Sequence, residues 1–155
     1  MNRAVLLVAP ALALFAASGE GQVTALADLR FGTVVAGVPE SVLPASSDAA
    51  NWRIHYTLLA LASNFTLTLP TSLSRVGGGA TMPVSFCSTC AIYRINNTNP
   101  VGGTTFNPAN QVNLPLMVLN NNVYIWLGGT ASPTAGQMPG SYTAAVVLTL
   151  AGVTL

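Results

Sequence analysis

Little in this chain could do bond-making chemistry, and what there is passes through one histidine and two cysteines. His55 is the sole histidine, so a Ser/His/acid arrangement or a His-based metal site would have to include it. The four carboxylates, Glu20, Asp28, Glu40 and Asp48, all precede it, and none follows. A histidine that alternates with Trp52, Ile54 and Tyr56 along an extended run reads as an ordinary surface side chain. Paired carboxylates for glycoside hydrolysis would have to come from Asp28, Glu40 and Asp48, which flank turns and outline no cleft. The expectation is a protein that is not an enzyme, with no catalytic residue, no cofactor and no metal site.

Cys87-Ser88-Thr89-Cys90 admits three readings: a redox dithiol, half of a zinc site, or a structural disulfide. A zinc site lacks its second pair of ligands, and a redox dithiol lacks the strand-to-helix setting that lowers a thiol pKa. In a secreted chain the local disulfide Cys87–Cys90 is the default. Gly77-Gly78-Gly79 lacks the lysine and the helix of a phosphate loop and reads as a connector. Asn64-Phe65-Thr66 and Asn96-Asn97-Thr98 match the glycosylation acceptor pattern without implying a function. Trp52, Tyr124 and Trp126 suggest an aromatic platform for a sugar, but on alternating strands such residues more often belong to a core or an interface.

The elements that position these residues are strands. Leu29 to Val35 alternates, with Gly32 at a bulge or a close backbone approach. A weaker strand follows at Glu40 to Leu43, then a longer one in which Trp52, Ile54, Tyr56 and Leu58 face inward. Phe65-Thr66-Leu67-Thr68-Leu69 places threonines on a wet face, and Pro70 ends its ladder. Met82, Val84 and Phe86 lead into the cysteine turn, from which Ala91 to Ile95 is expected to return as the antiparallel partner. Residues 96–111, rich in Asn, Pro and Gly, read as a long surface loop where recognition would be found. Val112 to Val118 and Val123 to Leu127 read as a hairpin about Asn120-Asn121-Asn122. The last strand opens at Pro139-Gly140 and carries Tyr142, Ala144, Val146, Leu148 and Leu150 on one face. Its second face is apolar enough to predict cover on both sides.

Seven to nine strands, turn signals between them and no helical period predict an all-β antiparallel sandwich. The chain has 155 residues, enough for one domain. Its start has the form of an export signal. Met1-Asn2-Arg3 is followed by an apolar run from Ala4 to Ala17 and by the small residues Ala16-Ala17-Ser18-Gly19. That run is shorter than the ~20 residues a membrane span needs. The predicted division is a signal peptide over 1–19 and a single domain over 20–155, secreted and without a transmembrane span after cleavage. Only 6% of residues are charged, and none is lysine. Without Arg3, four arginines balance four acids. A surface of this kind repels its own copies weakly and has no basic patch for nucleic acid.

Five blocks in order carry a resemblance: Ala27-Asp28-Leu29-Arg30-Phe31-Gly32-Thr33-Val34-Val35-Ala36-Gly37, Phe65-Thr66-Leu67-Thr68-Leu69-Pro70, Met82-Pro83-Val84, Leu127-Gly128-Gly129-Thr130 and Pro139-Gly140-Ser141-Tyr142-Thr143. Together they resemble a family of bacterial secreted β-sandwich domains of unknown function, similar to spore-coat-U-like and chaperone-usher pilin subunits. The resemblance implies an immunoglobulin-like sandwich, exported to the periplasm or the bacterial cell surface and without enzymatic activity, that serves as a structural subunit of a surface fibre or coat. It also implies self-association or association with related subunits, with a periplasmic chaperone as a further partner. The alternative is a self-contained adhesion module that binds through the 96–111 loop. For assembly by strand donation, the expected donor face is Val23, Ala25 and Ala27 on an extended arm. The expected acceptor is the edge carrying Tyr142, Ala144, Val146, Leu148 and Leu150.

Overall fold

Alternation of buried and exposed side chains recurs along the chain and sets the architecture. In the strand Ala50–Tyr56, Ala50, Trp52, Ile54 and Tyr56 are buried while Asn51, Arg53 and His55 point the other way. A computed structural model describes residues 3–8 and 21–154. Among these residues every regular element is a strand, and the strands pair almost wholly antiparallel. The protein is therefore all-β.

The largest sheet runs in the order β3 (Leu29–Val35), β1 (Arg3–Val8), β14 (Tyr142–Thr143), β7 (Ser72–Arg75), β8 (Thr81–Ser85), β13 (Gly129–Ala131) and β4 (Glu40–Val42). A second sheet has the order β10 (Thr104–Phe106), β9 (Ala91–Ile95), β12 (Asn122–Leu127), β5 (Ala50–Tyr56) and β2 (Gly21–Ala27). The third has β6 (Ala60–Thr68) between β11 (Val112–Leu114) and β15 (Val147–Thr154). All three sheets send side chains into one apolar cluster. Leu29, Leu73, Met82 and Tyr142 enter it from the first, Ile54, Tyr56 and Ile125 from the second, and Phe65 and Leu148 from the third. Phe65 meets Phe106 and Tyr93 edge-on, with ring centroids 5.5 and 6.2 Å away, and so joins the second and third sheets.

Among the described residues there are fifteen strands in place of the seven to nine expected, because several are only two to four residues long. The partners also differ from those expected. β8 and β9 do not form a hairpin: β8 pairs with β7 and β13, and β9 with β10 and β12. Residues 112–118 and 123–127 do not pair either. Pro115 ends β11 by removing a ladder donor, and Met117 bridges instead to Ala60. Residues 96–111 are not wholly irregular, since Thr104–Phe106 returns along β9. For β8 and β12 the alternation identified the buried face, and a face does not name its neighbour, whereas beyond Pro115 it failed, since Leu116 and Val118 are exposed and Met117 is buried.

The last strand is divided. Tyr142–Thr143 belongs to the first sheet and Val147–Thr154 to the third, so the chain changes sheet across Ala144, Ala145 and Val146. Tyr142, Val146 and Leu148 are buried and Ala144 and Leu150 half-buried, but Ala145, Thr149 and Ala151 face solvent in place of the cover expected there. Leu58, expected inside, is exposed because the chain turns between β5 and β6. Gly32 takes φ 67° with open space where a side chain would start, so its role is the left-handed backbone and not a close approach.

Candidate functional site

Among the described residues β1 sits between β3 and β14, which are not paired with each other. It pairs antiparallel with β3, from Arg3 opposite Val35 to Val8 opposite Leu29, and parallel with β14 through Leu6 and Tyr142. Leu29, Phe31 and Val34 on one wall and Tyr142 on the other are buried with this strand in place. The six residues of β1 come from the stretch whose sequence reads as an export signal. The remainder of that stretch, with the expected cleavage region up to Glu20, lies outside the described residues.

The residues expected to mediate assembly are placed as follows. Val23, Ala25 and Ala27 are in β2, which pairs with β5 from Gly21 opposite Tyr56 to Ala27 opposite Asn51. Val23 and Ala25 pack against the core, so the arm belongs to its own domain here. Tyr142 is in the wall beside β1. Leu148 and Leu150 are in β15, which pairs with β6 on one side and forms an edge of its sheet.

Tyr142 is anchored by its hydroxyl as well as by its ring. The hydroxyl donates to the Met138 carbonyl at 2.7 Å, and the Gln137 side-chain amide donates to it at 2.6 Å. Gln137 Nε2 also reaches the Thr81 carbonyl at 3.1 Å, which ties the turn before β14 to β8. Arg75 Nε donates to the Pro139 carbonyl at 2.9 Å, so the start of β14 is held from both sides.

The outer face of the second sheet collects the polar and aromatic side chains. Tyr124 and Trp126, two residues apart on β12, stack with centroids 6.1 Å apart and planes 26° apart. Arg53 and Arg94 lie opposite Tyr124 on the flanking strands, and Asn51 and Ile92 lie opposite Trp126. His55 Nδ1 is 3.0 Å from Asn122 Oδ1, so the Nδ1–H tautomer donates to an amide oxygen. Trp52 points the other way and is buried in the core, so the three aromatics expected to share a platform are split between two faces. Asn51 and Arg53 were not among the residues selected from the sequence. Their distinguishing property is that Asn51 Oδ1 and Arg53 Nε are buried without a hydrogen-bond partner, which only the folded neighbourhood reveals.

A pocket of about 240 Å³ opens at one end of this face, between Trp126 and Asn51, the residues Ala45, Ser46, Ser47 and Ala49 that precede β5, Ala27 and Pro100. Pro100 comes from the 96–111 segment, which Arg94 fastens by donating to the carbonyls of Val101 at 2.7 Å and Asn99 at 3.1 Å. Cys87 and Cys90 form a disulfide with Cα atoms 5.0 Å apart. It closes the chain's passage from the first sheet to the second and not a hairpin turn. Among the described residues no three His, Cys, Asp or Glu side chains come together as metal ligands. A separate apolar patch exposes Leu58, Leu61, Leu116, Val118 and Leu119 on two segments joined at Ala60 and Met117.

Neither a protein-family model nor a curated protein matches the chain.

Proposed function

We propose that this protein is a non-enzymatic structural subunit of a bacterial surface fibre or coat, an exported immunoglobulin-like sandwich that joins to further copies by accepting a strand. The observation that carries this reading is the seat of Arg3–Val8 between β3 and β14. If those residues leave with an export signal, the mature sheet has two facing edges of unpaired backbone groups over an apolar floor, and a strand from another subunit can restore the missing pairs. A periplasmic chaperone would cover the same gap before assembly. The donor in the next copy is the segment Gln22 to Asp28, released from its edge position on β5. Two observations favour the immunoglobulin-like reading and the location. The bond from the Tyr142 hydroxyl to the carbonyl four residues upstream resembles the tyrosine corner of such sandwiches, without the cysteine that follows it in antibody domains. The Cys87–Cys90 disulfide suits an oxidising compartment.

The test compares the exported protein with a chain of residues 21–155 produced directly, both followed by native mass spectrometry. The exported protein should begin between Ser18 and Gln22, and both forms should give oligomers. A synthetic peptide of residues 3–8 should break these into peptide-bound monomers of raised melting temperature, as mass action requires of a ligand that binds only the folded state. A mature chain that stays monomeric and gains no stability from the peptide would remove the strand-accepting role. Exported protein that retains Met1 to Ala17 would remove the premise that the gap exists.

A further inference from the structure

A strand at the rim of a sheet carries a row of backbone N–H and C=O groups without partners, and natural proteins blunt such rims with short strands, charges, prolines or breaks in the ladder. Among the described residues the three sheets end in six strands: β3 and β4, β10 and β2, β11 and β15. Five of these are blunted. β4, β10 and β11 have three residues each, and Pro115 follows the last of them. β3 carries Arg30, whose backbone N–H already donates to the Asp48 carbonyl at 2.8 Å, and is left-handed at Gly32. The ladder of β2 on β5 shifts between Ala25 and Ala27. β15 differs from all five. It is eight residues long, holds no charge and no proline, and keeps a regular register with β6 from Val147 to Val153. Among the described residues no strand pairs with its other side.

We propose that this free edge of β15 pairs antiparallel with β15 of a second copy, so that two three-stranded sheets become one of six. Three observations select a second copy as the occupant. First, the strands of the third sheet contain no ionisable side chain, so two copies meet there without like-charge repulsion, and a charged strand would find no counter-charge. Second, the strand is complementary to itself. A two-fold axis at Leu150 sets Leu148 opposite Gly152 and Thr149 opposite Ala151, each time a larger residue against a smaller one on the same face. Third, Leu150 lies on the core face but is only half-buried, although Phe65, its partner in β6, is fully buried. A strand along the edge covers the side of Leu150 that the fold leaves open, and the twin strand brings the same need. The contact is on a different sheet from the β3–β14 gap and does not rest on the assembly reading. It closes as a dimer, whereas filling the gap with a neighbour's segment continues head to tail.

The test uses the exported protein with an excess of the peptide of residues 3–8, which occupies the gap, so that native mass spectrometry reads the remaining association alone. If no gap exists, the peptide is inert and the measurement is unchanged. Wild type should be dimeric. Thr149→Lys combined with Ala151→Lys sets like charges against each other across the two-fold and should weaken the dimer by about tenfold or more. Thr149→Glu combined with Ala151→Glu should do the same. Both positions are exposed, so the core is untouched. Mixing the two double variants should restore a dimer that contains one of each, which also shows that both are folded. Thr68→Lys, exposed on the same face of the sheet but one strand in from the edge, should leave the dimer intact. Double variants that dimerise with themselves as wild type does overturn the proposal. So does a dimer lost equally in Thr68→Lys, since the contact would then be through the face of the sheet. Wild type that stays monomeric overturns it whatever the variants do.

Discussion

Replacing Tyr142 by Phe deletes one oxygen atom from the first sheet and nothing else. The ring remains in the fully buried space it now fills, so no cavity larger than a hydroxyl is created. Two hydrogen bonds disappear, one to the Met138 carbonyl and one from Gln137 Nε2. Neither partner is stranded. Met138 is 45% exposed, so its carbonyl can turn to water, and Gln137 keeps its bonds to the Thr81 carbonyl and the Thr134 N–H. The loss is therefore the net worth of two bonds, about 1–2 kcal/mol, without a further penalty for orphaned groups. In a domain of this size that lowers the melting temperature by roughly 2–8 °C. Urea unfolding followed by tryptophan fluorescence should show an earlier midpoint with an unchanged slope, because the surface exposed on unfolding is the same. Tyr142→Ala is the companion measurement. It also empties the ring's site and should cost about 3–5 kcal/mol. A Phe variant as stable as wild type would mean that the hydroxyl does not hold the turn. A Phe variant as damaged as Ala would mean that the cost does not come from these two bonds.

Three other outcomes are expected. Replacing both Cys87 and Cys90 by Ser should lower stability by no more than about 2 kcal/mol, since the ring closed is very short, and thiol titration of untreated protein should find no free sulfhydryl. Gly128→Ala should cost more than about 2 kcal/mol in the same unfolding assay, because a methyl group there would meet the backbone of Val42, Leu43 and Pro44, none of which can move aside without disturbing β4. His55→Ala should cost under about 1 kcal/mol and leave assembly measured by native mass spectrometry intact, as it removes one half-buried bond to Asn122.

The parts of this fold that could be read from the sequence are those where large side chains keep a period of two. Trp52, Ile54 and Tyr56, Phe65 and Leu67, and Met82 and Val84 are buried as their alternation predicts, because a pleated strand sends every second side chain to one face. Strands built from small or polar residues gave no such pattern. Ser72–Arg75 holds one large apolar residue, Leu73, and Gly129–Ala131 holds none, yet both lie inside the largest sheet. Their places are fixed by the neighbours they pair with and not by their own composition. The same limit applies to the pocket beside Trp126. Trp126 and Pro100 could be noticed in the chain, but their meeting beside Asn51 depends on three separate segments converging. The unmatched oxygen of Asn51 is a property of that convergence.

The walls on either side of Arg3–Val8 run in opposite directions, since this strand is antiparallel to β3 and parallel to β14. An occupant entering in either sense would thus find one antiparallel and one parallel neighbour. Backbone hydrogen bonding chooses between the two senses only because the walls are unequal: five residue pairs join Arg3–Val8 to β3, and one joins it to β14. Antiparallel pairing is the slightly stronger kind, so the longer wall acts as the compass, and any strand seated there is turned to run against Leu29–Val35. A chain of such subunits would inherit a single polarity from that inequality.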